Sequence, residues 1–138
     1  MKTKYLMTMF IAGLLIGTAF SATKINPDLI IKDIKIDTST VNKNNKITVI
    51  YTIKNVGKTK APASIAKIDM KANGKTITAT PTTPTIDPGG SYKGVATFTA
   101  ASKNNYIFNL TADYNNGVLE TNEKNNSNTA SFSFGKKF

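Results

Sequence analysis

Apolar and polar residues alternate along most of this chain, which is the pattern that half-buried β-strands require. The clearest run is 46–55, in which every second residue is apolar: Ile47, Val49, Tyr51 and Ile53. A second run, 106–114, enters a loop rich in carboxylates and amides, 115–126, and alternation returns at 130–134. Two antiparallel strands joined by a polar corner are therefore predicted at this end of the chain.

Turn residues separate the other predicted strands. Alternation in the first strand, 28–37, is interrupted at Ile31, which predicts a β-bulge or a change of face there. Asn73-Gly74 predicts a type I′ hairpin, because both residue types tolerate positive φ. The link 81–85, rich in threonine and proline, predicts an extended crossing between two sheets.

Seven strands result, spaced by turn signals and without helical periodicity after the first segment of the chain. This pattern predicts an all-β fold, a seven-stranded antiparallel sandwich of the immunoglobulin-like class. The residues expected at the centre of its core are Val49, Tyr51 and either Phe108 or Leu110.

The first 21 residues have the pattern of a secretory signal peptide. Lys2 and Lys4 precede an uncharged apolar stretch, and the small residues Ala19 and Ser21 suit a cleavage site after residue 21. A single domain over 22–138 is then expected in a secreted or cell-surface protein, with no membrane span after cleavage. The alternative is an uncleaved anchor, but the stretch is shorter than the ~20 apolar residues that a membrane span needs.

Composition narrows the classes of function. The 18 basic residues are all lysine, no histidine or cysteine occurs, and the formal net charge is +10. Scattered lysines are typical of solvent-facing strands and guarded sheet edges, and the alternative is attraction to an anionic envelope polymer. Nucleic acid is not an expected partner, since arginine and an aromatic platform are missing. Without histidine or cysteine the usual catalytic bases and nucleophiles are absent, so no enzyme activity and no catalytic residues are predicted.

The polar corner is the candidate site. Three carboxylates lie close together in sequence, Asp113, Glu120 and Glu123, and amides follow at Asn122, Asn125 and Asn126. Carboxylate and amide oxygens are the ligands that calcium prefers, so a calcium site is one hypothesis. The other is a structural corner, because asparagine and aspartate side chains also cap the backbone of turns. Both hypotheses stay open at the level of sequence.

Four short motifs occur in a distinctive order: Pro27-Asp28-Leu29, Asn55-Val56-Gly57, Asp87-Pro88-Gly89-Gly90-Ser91 and the corner that ends at Asn126. Over residues 26–134 they resemble the CARDB family, a cell-adhesion-related domain found in bacteria. The resemblance implies an immunoglobulin-like sandwich exported to the cell surface, usually as one module of a larger protein. A single copy, as here, departs from that architecture.

Together these features favour an exported, non-enzymatic binding or adhesion module. Its expected partner is another protein or an anionic envelope polymer, engaged through a sheet face or by strand addition at an open edge. The alternative is a structural or chaperone-like accessory component of a cell-envelope assembly. The sequence does not indicate an oligomeric state.

Overall fold

The computed structural model describes residues 25–39, 44–100 and 105–133, and nine β-strands form within these ranges. They are β1 (Leu29–Asp37), β2 (Lys46–Asn55), β3 (Ser64–Ile65), β4 (Lys67–Ala72), β5 (Lys75–Ala79), β6 (Thr82–Thr83), β7 (Ser91–Thr99), β8 (Asn105–Thr111) and β9 (Ser127–Ser133). The predicted signal segment 1–21 and Phe134 of the last predicted strand lie outside the described residues. No helix among those residues has the length and apolar character needed to cross a bilayer.

The strands form two main antiparallel sheets, one in the order β1-β2-β7 and one in the order β5-β4-β8-β9. The prediction of an all-β sandwich is confirmed. The strand number was wrong, because the described residues contain nine strands rather than seven. The additional pair is β3 with β6, which forms where the predicted crossing segment passes Ser64–Ile65. A pairing of two residues on each side is too short to produce a recognisable alternation in sequence.

The core lies between the two sheets and is built from the apolar positions of the alternating runs. Val49, Tyr51, Phe108 and Leu110 are each at most 1% exposed, so the predicted core centre is confirmed. β7 leaves room for the Tyr51 ring at Gly94, where an added Cβ would lie 2.2 Å from that ring. Any side chain at this position would therefore collide with the core.

β1 contains the bulge that its sequence predicts. Its pairing with β2 shifts register between Ile31 and Asp33, which leaves Lys32 as the additional residue. Leu29 and Ile31 are buried before the shift, and Ile34 and Ile36 pack against the core after it. The bulge thus keeps apolar residues on the core side along the whole strand.

The hairpin between β4 and β5 also agrees with its prediction. Asn73 and Gly74 have φ values of 49° and 71°, which is the positive-φ pair of a type I′ turn. The turn pairs Ala72 with Lys75 and places β5 at the edge of the four-stranded sheet.

Candidate functional site at the polar corner

β8 ends at Thr111, earlier than the alternating run 106–114 predicted, so the polar corner is the loop 112–126 between β8 and β9. This loop folds against the beginning of β1. The backbone amide of Leu29 donates a hydrogen bond to Oε2 of Glu120 over 2.6 Å. One residue further, the Thr121 amide donates to the Pro27 carbonyl over 2.9 Å. These two bonds connect the start of the sandwich to the loop before its last strand.

Glu120 is the centre of the corner, with only 2% of its surface exposed. Its Oε1 accepts a hydrogen bond from Nδ2 of Asn126 over 2.6 Å. Asn126 in turn fixes the end of β8, because the Ala112 amide donates to the Asn126 carbonyl over 2.9 Å. The buried carboxylate therefore joins the beginning of β1 to both sides of the loop.

The other two carboxylates organise the loop itself. Asp113 is buried, has a positive φ of 44°, and accepts the Gly117 and Val118 amides on its two oxygens at 3.1 and 2.9 Å. Glu123 is exposed and accepts the Glu120 amide on Oε1 over 2.8 Å. Each carboxylate therefore caps backbone donors that the irregular loop leaves without a strand partner.

The two remaining corner asparagines have different surroundings. Oδ1 of Asn122 accepts the Lys124 amide over 3.0 Å, which is a local turn contact at the surface. Nδ2 of Asn125 donates to Oδ1 of Asp28 over 2.9 Å, which is another connection to the first strand region. All six residues predicted for the corner thus take part in its hydrogen bonding, three by way of carboxylates and three by way of amides.

The pKa of Glu120 is raised to about 7, chiefly by burial. Hydrogen bonds from the Leu29 amide and Asn126 oppose this rise, and the nearby carboxylates of Glu123 and Asp113 add to it. Ionising Glu120 therefore costs free energy in the folded protein. A positive charge close to its carboxylate would reduce that cost.

The donor set fits a hard divalent cation. Asp113, Glu120 and Glu123 each present an oxygen within 4.8 Å of the others. Five of their six carboxylate oxygens already accept a hydrogen bond from the protein, but a carboxylate oxygen has a second lone pair for a metal. Within the described residues, the buried Oδ1 atoms of Asn125 and Asn126 have no hydrogen-bond partner.

A second buried polar residue, Asn55, was not recognised from the sequence as a site residue. It is fully buried, and its Oδ1 accepts the amides of Asp28 and Gly57 at 3.1 and 3.0 Å. Its Nδ2 donates to the carbonyls of Thr59 and Ile86 at 2.8 and 3.0 Å. The signal was present, because Asn55 continues the core-facing positions of β2 and places an amide where that pattern predicts an apolar side chain.

Two of three comparisons with known proteins found a match, and these two agree on the fold. The family model described as CARDB matches residues 26–130 of the chain. None of the curated proteins is significantly similar to it. Among solved structures, the CARDB domain of a Pyrococcus furiosus protein, crystallised in complex with di-metal ions, is 26% identical with a TM-score of 0.58, covering 78% of this chain and 88% of that one.

A second solved structure is a domain of a Methanosarcina acetivorans protein that is provisionally assigned to the cell surface. It is 24% identical with a TM-score of 0.60, and the match covers 78% of this chain and 91% of that one. At this identity the likeness concerns the fold alone.

Proposed function

Because the chain belongs to the CARDB family, we propose that it is an exported, non-enzymatic binding module that engages a partner at the cell surface. The observation that carries this proposal is that the corner carboxylates have a structural role. They hold the fold together through backbone amides, and Glu120 is buried away from any substrate. The outer faces and edges of the sheets are then the surfaces left for function.

Export is supported by the signal-like segment 1–21. In this proposal, residues 22–138 form one domain after cleavage. The absence of cysteine means that the exported domain depends on its core and its polar corner, since no disulfide can stabilise it.

A non-enzymatic role is supported by the chemistry of the residues. The sequence has neither histidine nor cysteine, so proton transfer at neutral pH and nucleophilic attack lack their usual side chains. Glu120 and Glu123 could be regarded as a glycosidase-like pair from their sequence, but both carboxylates accept backbone amides. Hydrolysis of any glycoside that disappears in Glu120→Gln and Glu123→Gln would contradict this part of the proposal.

The corner is proposed to bind a divalent cation, with calcium as the candidate. Asp113, Glu120 and Glu123 would hold it, and its charge would neutralise their mutual repulsion and stabilise the loop. The support is the convergence of these oxygens, together with the di-metal complex of the Pyrococcus furiosus domain.

The experiment uses the tagged full chain in the cells that produce it. Surface proteolysis and fractionation should place the chain outside the cytoplasm, and crosslinking should join it to a discrete partner. The purified partner should then bind the isolated chain saturably, whereas heat-unfolded chain serves as the control and should not bind. Retention in the cytoplasm would contradict export. Stoichiometric incorporation into a large envelope particle would instead assign the alternative structural role.

A further inference from the structure

The two main sheets differ in width, and this difference leaves one side of the sandwich uncovered. β1 packs near β9 on one side, and the Phe98 ring of β7 contacts the Phe108 ring of β8 at a centroid distance of 5.8 Å. The three-stranded sheet ends at β7, whereas the four-stranded sheet continues to β5. Among the described residues, no strand lies beside β7 in the place opposite β5. We call this region, formed by Lys75–Ala79 and Ser91–Thr99, the open side.

The exposed side chain of Ile77 shows that none of the described residues covers the core-facing side of β5. Ile77 is in register with Met70 and Phe108, so it belongs to the core-facing row of the sheet. Met70 and Phe108 are 3% and 0% exposed, but Ile77 is 49% exposed. An apolar side chain on the core side of a strand is exposed to this extent only because nothing packs over it.

A cavity of about 250 Å³ lies next to Ile77 in the same region. Met70 and Tyr106 are among the residues that form its apolar part, and Lys75 and Thr99 contribute polar groups to its lining. The cavity is therefore bounded by residues of both sheets and is large enough to receive an apolar side chain of a partner.

The edge of β7 supplies backbone groups for pairing. This strand is nine residues long, contains no proline and carries one charged residue, Lys93. Only β2 pairs with it among the described residues. Long edge strands without proline or several charges are the ones that accept an added strand.

Charge indicates what kind of strand fits. Lys75 is part of the cavity lining and forms no ion pair within the described part of the chain, and Lys93 lies on the edge of β7. The chain as a whole has a formal net charge of +10. This charge opposes pairing of two copies and favours an acidic partner.

We propose that the open side binds an extended acidic segment of a partner protein, which pairs with the edge of β7 and places alternate apolar side chains on Ile77 and in the cavity. The inference rests on the proposed binding function and assigns it to a location. The added strand would complete a four-stranded sheet opposite β5, with its apolar side chains toward the cavity and its carboxylates on the outer face beside Lys93. The exposed Lys75, which lines the cavity, adds to the positive charge that attracts the acidic segment.

The test uses a random display library of nine-residue peptides, selected on the folded full chain. Enriched peptides should alternate apolar residues with aspartate or glutamate. Their dissociation constants should rise at least tenfold in Ile77→Thr and in Lys75→Glu. Ile107→Thr is the matched control, because Ile107 is 45% exposed on the opposite face of the same sheet. It should bind as the wild type does.

Strand pairing has its own readouts. A bound peptide should slow the hydrogen exchange of amides in Ser91–Thr99, and N-methylation of alternate peptide amides should abolish binding. Enriched peptides that bind Ile77→Thr as tightly as the wild type would overturn the proposal, and so would equal binding of the N-methylated peptide. A dimer in sedimentation equilibrium that Ile77→Thr dissociates would assign the surface to a second copy and overturn it too.

The proposed binding location and the proposed binding function can be contradicted independently of each other. If Ile77→Thr and Lys75→Glu capture the same surface partner as the wild type, the binding function stands and the open side is the wrong location. If the wild-type chain captures no partner on cells, the proposed function itself fails.

Discussion

The polar corner and the open side place polar and apolar groups in opposite environments. In the corner, the charged residue Glu120 is buried and bonded to Leu29 and Asn126. On the open side, the apolar Ile77 is exposed, and the edge of β7 has no strand partner among the described residues. In the corner, a carboxyl group is buried at a cost in free energy, and its hydrogen bonds fix the fold. On the open side, apolar surface remains exposed and is available for burial by a partner. Stability and binding are expected to separate between these two regions.

The largest effect is expected at Asn55, which fastens the same end of the sandwich as the corner. Asn55→Ala removes four hydrogen bonds and leaves buried amides and carbonyls without partners. The free energy of unfolding should fall by about 3–5 kcal/mol. Urea denaturation of the purified chain measures this, and Asn105→Ala, at an exposed position in β8, is the control. Equal losses in the two variants would contradict the assigned role.

The second prediction concerns pH. The pKa of Glu120 is raised from 4.5 to about 7, so the folded protein binds this proton more tightly than the unfolded chain does. The resulting stabilisation is complete below pH 4.5 and is lost as pH rises through about 7. It amounts to about 3 kcal/mol, at ~1.4 kcal/mol for each pKa unit.

Glu120→Gln keeps the shape of the side chain and removes the titration. Its stability should vary less between pH 4.5 and 7 than that of the wild type, when both are measured by urea denaturation across this range. Glu123→Gln is the control, because Glu123 is exposed and should retain most of the wild-type pH dependence. A flat wild-type profile over this interval would contradict the burial cost assigned to Glu120.

The third prediction tests whether the corner carboxylates bind calcium. Calcium at 100 times its dissociation constant should stabilise the folded chain by ~2.7 kcal/mol, relative to the same protein with chelator. The melting temperature at neutral pH should therefore rise by several degrees, and Glu123→Gln should reduce the shift. Magnesium serves as a comparison, since it tolerates an irregular oxygen site less well. No shift at millimolar calcium would leave the corner as a hydrogen-bonded structure alone.

The smallest effect is expected on the open side. Ile77→Thr should lower the free energy of unfolding by less than about 1 kcal/mol, because half of the Ile77 surface is already exposed. The matched change Ile68→Thr lies on the adjacent strand at a fully buried position and should cost about 2–4 kcal/mol. Similar losses in both variants would mean that the open side is covered in the folded protein.

Much of the fold follows from local sequence. Alternation predicts β2 and the buried positions Val49 and Tyr51, since adjacent residues of a strand face opposite sides. The Asn73-Gly74 turn and the bulge after Ile31 are likewise local features, recorded in residues that are close together in the chain.

The parts that sequence reasoning missed depend on distant residues. The two-residue strands β3 and β6 exist only because the crossing segment meets Ser64–Ile65. The four bonds of Asn55 include one to Ile86, 31 residues away. For the corner, composition indicated which residues belong to it. The hydrogen bond between Leu29 and Glu120 was not predictable, because it joins residues 91 positions apart and produces no periodic pattern in the sequence.

The bond between Leu29 and Glu120 can form only after most of the described residues have been made. β1 emerges early in synthesis and can pair with β2, but its Leu29 amide is bonded to a carboxylate 91 residues downstream, so the start of the strand lacks this bond until the corner loop is available. A ribosome or an export channel that releases the chain from its N-terminus must therefore deliver Glu120 before the corner can hold the start of β1. A chain that stops before Glu120 would lack this bond, and the start of its first strand would be more accessible to proteases and chaperones.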